Sequence, residues 1–137
     1  MRTVLTKLGI WDPGMTITDG SGLSRATKVP ADSMVKMLRL AAGKQPPRAA
    51  CGNYRLVRCR CRGQPAAPVL DQSLAGRGAV RGETGTINKV RAGAGVVRTS
   101  DGSLVAYAFL INKPMNEHNA MIWLDQMTAA LNTCGCR

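Results

Sequence analysis

A chain of 137 residues with 45% hydrophobic side chains has the size and composition of one soluble globular domain, long enough to bury about two thirds of its unfolded surface if it folds alone. With aromatic residues at only 4%, its core has to be built from Val, Ile, Leu, Met and Ala, and no apolar run approaches the length of a membrane span. The formal charge of +11 points first to polyanions, but residues 1–43 carry +3, residues 44–82 carry +7 and residues 83–137 only +1, so the excess marks one segment rather than a basic domain.

Val4, Leu5, Leu8 and Ile10 make a short amphipathic start, which Trp11-Asp12-Pro13-Gly14 ends with a turn signal. The N-terminus carries positive charge but lacks the apolar run of a signal peptide, so the chain as written is expected to stay in the cytoplasm. Met15-Thr16-Ile17-Thr18 alternates as a short strand does. Asp19-Gly20-Ser21-Gly22-Leu23-Ser24-Arg25 then places exposed hydroxyls on a tight loop, which on composition alone reads first as a structural turn.

Pro30-Ala31-Asp32-Ser33 reads as a helix start with Asp32 or Ser33 as N-cap, Met34, Met37, Leu38 and Ala41 on one face, and Gly43 as the end. Ser33 and Lys36 have the Ser-x-x-Lys spacing that sets a lysine one turn from a nucleophilic serine. That spacing is short and common, and a chance match explains it at least as well.

From Lys44 to Gly82 no helical or strand period persists, and Pro, Arg, Gly, Ala and Cys dominate, so the segment reads as loop or disorder with one short strand near Tyr54. Two functional readings compete with that one. Arg55, Arg58, Arg60 and Arg62 suit phosphate contacts, although no aromatic residues interleave to support nucleic-acid binding. Cys51, Cys59, Cys61, Cys134 and Cys136 are an odd number, and Cys-x-Cys is tighter than the paired Cys-x-x-Cys of structural zinc, so neither a disulfide framework nor a metal or other cofactor is assigned.

Lys89 to Val97 and Leu104 to Ile111 are rich in β-branched and apolar residues, and Ser100-Asp101-Gly102-Ser103 supplies the turn of an antiparallel hairpin. The second of these strands is apolar on both faces, which suits a central strand in a sheet covered on both sides. Glu83-Thr84-Gly85-Thr86-Ile87 forms the strand before the hairpin, and Asn116 caps a helix that turns Met121, Ile122, Leu124, Met127, Ala130 and Leu131 towards the sheet. His118 reads as a solvated helix-end histidine rather than a ligand.

The string from Asp19 to Arg25 followed by a helix, and Val80-Arg81-Gly82-Glu83-Thr84-Gly85-Thr86 followed by a hairpin and a terminal helix, resembles the C-terminal part of D-alanyl-D-alanine carboxypeptidases/endopeptidases, the class C low-molecular-mass penicillin-binding proteins. The tail Cys134-Gly135-Cys136-Arg137 is similar to actinobacterial members. The resemblance implies an α+β, partial penicillin-binding (serine beta-lactamase-like) transpeptidase fold, an antiparallel sheet with flanking helices. It implies Ser24 as the second-motif serine and Glu83, Thr84 and Gly85 as a degenerate third motif, with a peptidoglycan stem peptide or a beta-lactam as the ligand. In such a site a nucleophilic serine and a lysine–hydroxyl network move protons, while a cationic strand residue orients the substrate carboxylate.

Against that pattern, Glu83 replaces the lysine of Lys-Thr-Gly, Ala26 and Thr27 stand where the second-motif asparagine belongs, and the family's upstream Ser-x-x-Lys region has no counterpart. The expectation is a truncated homologue unable to catalyse alone, with an upstream fragment of the same fold as a partner; a retained peptidase using Ser33 and Lys36 is the second reading, and a small nucleic-acid-binding protein the third. The family is exported to the cell envelope, whereas this chain has no signal peptide. The resemblance divides the chain into residues 1–43 (second-motif loop and helix), 44–82 (irregular, basic) and 83–137 (third-motif strand, hairpin and helix). Loss of resemblance over Lys44 to Ala75, flanked by good resemblance, is what an out-of-frame translation of GC-rich DNA gives. Reading the other two frames of the encoding DNA over these codons is expected to restore the family pattern in one of them.

Overall fold

The computed structural model describes residues 1–43 and 79–134. Residues 44–78, with the arginine–cysteine stretch of the basic segment, and the tail from residue 135 lie outside the described residues. Helix α1 (Arg2–Lys7) is stopped by Gly9, whose φ of 68° ends the helix in the left-handed region at little cost. The Gly9 and Ile10 N–H groups donate back to the Thr6 and Leu5 carbonyls at 3.0 and 2.9 Å, and the side chain of Ile10 is thereby turned into the core. A short turn follows, with the Gly14 N–H donating to Asp12 Oδ1 at 2.8 Å.

Met15 to Thr18 is not a strand of its own: Thr16 forms a single antiparallel bridge with Lys28. The two residues exchange backbone hydrogen bonds of 2.9 and 2.7 Å, closing the loop between them. Helix α2 (Ala31–Gly43) starts two residues earlier than an Asp32 cap allows and three earlier than a Ser33 cap allows. Pro30 fixes φ ahead of the first turn, which leaves Ser33 inside the helix, where its hydroxyl donates instead to the Ile10 carbonyl at 2.9 Å.

Strands β1 (Val80–Ile87), β2 (Val90–Arg98) and β3 (Leu104–Asn112) form an antiparallel sheet in that order. The turn from Thr99 to Ser103 uses Gly102 at φ 86°, and Asp101 Oδ1 accepts from the Thr99 hydroxyl and the Ser103 N–H. Helix α3 (Glu117–Thr133) begins at Asn116, whose side chain accepts from the Asn119 N–H at 3.0 Å. The architecture is α+β, a three-stranded sheet with flanking helices, and among the described residues no helix is long and apolar enough to cross a membrane.

Among the described residues β3 lies at an edge and β2 in the centre, which corrects the expected central position of β3. Its two apolar faces are accounted for by helices rather than by flanking strands. Tyr107 and Phe109 face α3, where Trp123 meets Phe109 edge-on with ring centroids 5.7 Å apart, while α2 packs on the other side. In β2 the alternate residues Arg91, Gly93, Gly95 and Val97 are buried beneath α3 with Leu124.

Two glycines set how closely β1 and β2 approach. Gly82 and Gly95 pair directly; a Cβ on Gly95 would lie 2.2 Å from the Arg81 carbonyl oxygen, and one on Gly82 would lie 2.6 Å from both the Ala94 carbonyl oxygen and the Tyr107 hydroxyl. Gly95→Ala is therefore expected to lower unfolding stability by about 1–3 kcal/mol. In the same denaturation experiment Gly20→Ala, where a Cβ meets nothing within 4 Å, should stay within about 0.5 kcal/mol of the parent.

Candidate functional site

The loop closed by the Thr16–Lys28 bridge is organised around one carboxylate. Asp19 Oδ2 accepts from the Ser21 hydroxyl and from the Leu23 and Ser24 N–H groups at 3.2 and 3.3 Å, while Oδ1 accepts from the Thr27 hydroxyl at 2.8 Å. Small and hydroxyl residues allow this wrap, and Gly22, at φ 75°, makes the reversal that brings the Leu23 and Ser24 amides round to face Asp19. These bonds stabilise the ionised form, so the Asp19 carboxyl titrates at about 2, with the Ser21 hydroxyl the largest cause. Ser24 Oγ in turn accepts from the Thr18 hydroxyl at 2.9 Å and the Ala26 N–H at 3.2 Å, and this fixes its position.

Arg25 ties this loop to the sheet, its Nη2 donating to the Asn88 carbonyl at 2.9 Å in the turn between β1 and β2. Between loop and sheet lies a pocket of about 780 Å³ lined by both Ser24 and Gly85. Its apolar floor includes Met34 from α2 and Ile87, Val90, Ala92 and Leu110 from the sheet; its polar rim carries Arg25, Lys28, Lys89 and Lys113.

The structure thus brings together two of the residues singled out in the sequence, Ser24 and Gly85, and leaves the others outside. Thr84 pairs with Gly93 and so sits on the α3 face of the sheet, whereas Gly85 pairs with Ala92 on the α2 face. Glu83 shares the Gly85 face but is exposed and does not line the pocket. Ser33 is 2% exposed with its hydroxyl committed to the Ile10 carbonyl, and the Lys36 ammonium lies 2.6 Å from Asp32. Nucleophile and base are therefore not assembled there: the Ser-x-x-Lys spacing reflects a helix-packing serine and a surface i,i+4 ion pair.

Sequence reasoning missed Asp19 as the organiser and the pocket cations Lys28, Lys89 and Lys113. An aspartate two residues before a serine was a legible Asx-type signal. The cations were not legible, because three separate segments deliver them: the Thr16–Lys28 bridge, the β1–β2 turn and the end of β3.

A model of the D-Ala-D-Ala carboxypeptidase 3 (S13) family matches residues 1–131, and the chain belongs to that family. It is 29% identical over 137 residues to a carboxypeptidase DacB of Mycolicibacterium smegmatis, an alignment that takes in 98% of this chain and 29% of the relative. The chain thus spans less than a third of the length of that curated relative.

Because the Asp19 carboxyl titrates at about 2 when folded and near 3.8 without its partners, its contribution to loop stability is fully present above about pH 4 and is lost as pH falls through about 2. Asp19→Asn should remove that dependence and speed amide exchange at Leu23 and Ser24 at neutral pH, read by hydrogen-exchange NMR.

Proposed function

We propose that this chain forms part of the substrate cleft of a serine-type D-alanyl-D-alanine carboxypeptidase/endopeptidase acting on peptidoglycan stem peptides, and that its described residues do not carry out acyl transfer alone. One observation carries the reading: Ser24 and Gly85, distant in sequence and each taken from a motif of the family it resembles, line one pocket with an apolar floor and a cationic rim. A peptide with a terminal carboxylate matches that combination, since apolar side chains bury its body and cations orient its end.

Acyl transfer needs a serine activated by an adjacent base. The hydrogen bonds found for the Ser24 hydroxyl among the described residues come from the Thr18 hydroxyl and the Ala26 N–H, and the buried Ser33 hydroxyl donates to the Ile10 carbonyl. On this reading the nucleophile comes from residues other than those described, carried by another part of the same fold.

Incubating the full 137-residue chain with a fluorescent penicillin tests the reading. The expected result is no covalent adduct after denaturing electrophoresis, in the parent and in Ser24→Ala alike. A stable adduct that disappears in Ser24→Ala or in Ser33→Ala would replace the proposal with a retained peptidase.

A further inference from the structure

Four cations line the pocket and no acidic residue does. Arg25 is committed to the Asn88 carbonyl, while Lys28, Lys89 and Lys113 enter none of the salt bridges among the described residues. Glu117, whose carboxylate accepts the Lys89 backbone N–H at 2.8 Å, is ion-paired with the Arg91 guanidinium; the Lys89 charge acts on it only as a smaller, through-space contribution.

Lys89 and Lys113 share a second property. Both have left-handed backbones, with φ of 59° and 51°, and they are the two non-glycine residues of the described chain that do. Lys89 is the second residue of the two-residue connection between β1 and β2, a place where glycine or asparagine is the low-cost choice. Lys113 follows the end of β3, and its N–H donates to the Lys89 carbonyl at 2.7 Å, which locks the two residues side by side at the pocket. Strained backbone held at a ligand cleft by the surrounding structure points to a role for the side chain it presents.

Resting on the stem-peptide reading above, we propose that Lys89 and Lys113 are the anion anchor of this pocket, binding the terminal carboxylate of a peptide ligand in place of the third-motif position, which here is Glu83. A carboxylate near Glu83 meets a like charge on the same face of β1; moved towards the turn, it meets two ammonium groups and keeps its apolar body over Val90, Ala92 and Leu110. The ligand therefore sits shifted along β1 towards the β1–β2 turn.

The test compares N-acetyl-D-alanyl-D-alanine with its C-terminal amide, each titrated into the full chain and followed by NMR or calorimetry. The acid is expected to bind about tenfold more tightly than the amide, as charge-assisted hydrogen bonds predict. That preference should fall to near unity in the Lys89→Gly/Lys113→Gly double variant and survive in Glu83→Gln. Glycine also relieves the left-handed backbone, so the double variant should melt no lower than the parent; lysines with a merely structural role would lower the Tm. Equal binding of acid and amide, or a preference that persists in the double variant, overturns the anchor and leaves the stem-peptide reading in place. Failure of both forms to bind overturns that reading, and the anchor with it.

Discussion

The close approach of β1 and β2 at Gly82 and Gly95 is the constraint on which the rest of the structure depends. With no Cβ on either strand, the backbones come near enough for the Tyr107 hydroxyl to sit against Gly82, and Tyr107 carries the packing on to α3 through Thr128. Burial of that hydroxyl raises its pKa, so the neutral phenol is the form this packing favours. The same register sets Gly85 opposite Ala92, on the face away from α3, which leaves an open floor for the pocket.

The site is built from two pieces, the serine loop with α2 and the sheet, which meet through α2 packing on β3 and through a polar tie at Arg25. Asp19 fixes the shape of the serine loop, and the Arg25–Asn88 bond together with α2 fixes where that loop stands over the sheet. Ile10 and Met15 are both buried ahead of the loop, and the Ser33 hydroxyl ties the Ile10 carbonyl to α2.

Periodicity and turn chemistry made most of the elements legible: the first helix and its turn, the hairpin around Asp101 and Gly102, and the Asn116 cap are local events whose causes lie within a few residues. What stayed hidden was long-range. Ser33 looked like a cap or a nucleophile because its true partner, the Ile10 carbonyl, is 23 residues away. β3 looked central because strand pattern reports how many faces are covered and not what lies at the edges. Ser24 and Gly85 were paired only through the order of two motifs, and nothing in that order signalled Lys89 and Lys113, whose cost is paid in backbone geometry that sequence does not display.

Charge reversal at Glu83 is the most visible departure from the family pattern, yet it is the weaker physical objection to activity. Glu83 is exposed, and successive same-face positions along a strand lie about 6–7 Å apart, where two unit charges in water interact by less than about 1 kcal/mol. A ligand displaced by one such step, as proposed for the Lys89 and Lys113 anchor, would lose little. The surroundings of the serines weigh more. Ser24 is held by a threonine and an amide, Ser33 is buried against a carbonyl, and Lys36 is spent on Asp32. Among the described residues no lysine or carboxylate that would take a proton from either hydroxyl is a hydrogen-bond partner of that hydroxyl, and without that transfer a serine is a weak nucleophile. Among the described residues it is the missing base, more than Glu83, that weighs against acyl transfer through these two serines, and ligand binding by the pocket as proposed does not depend on that base.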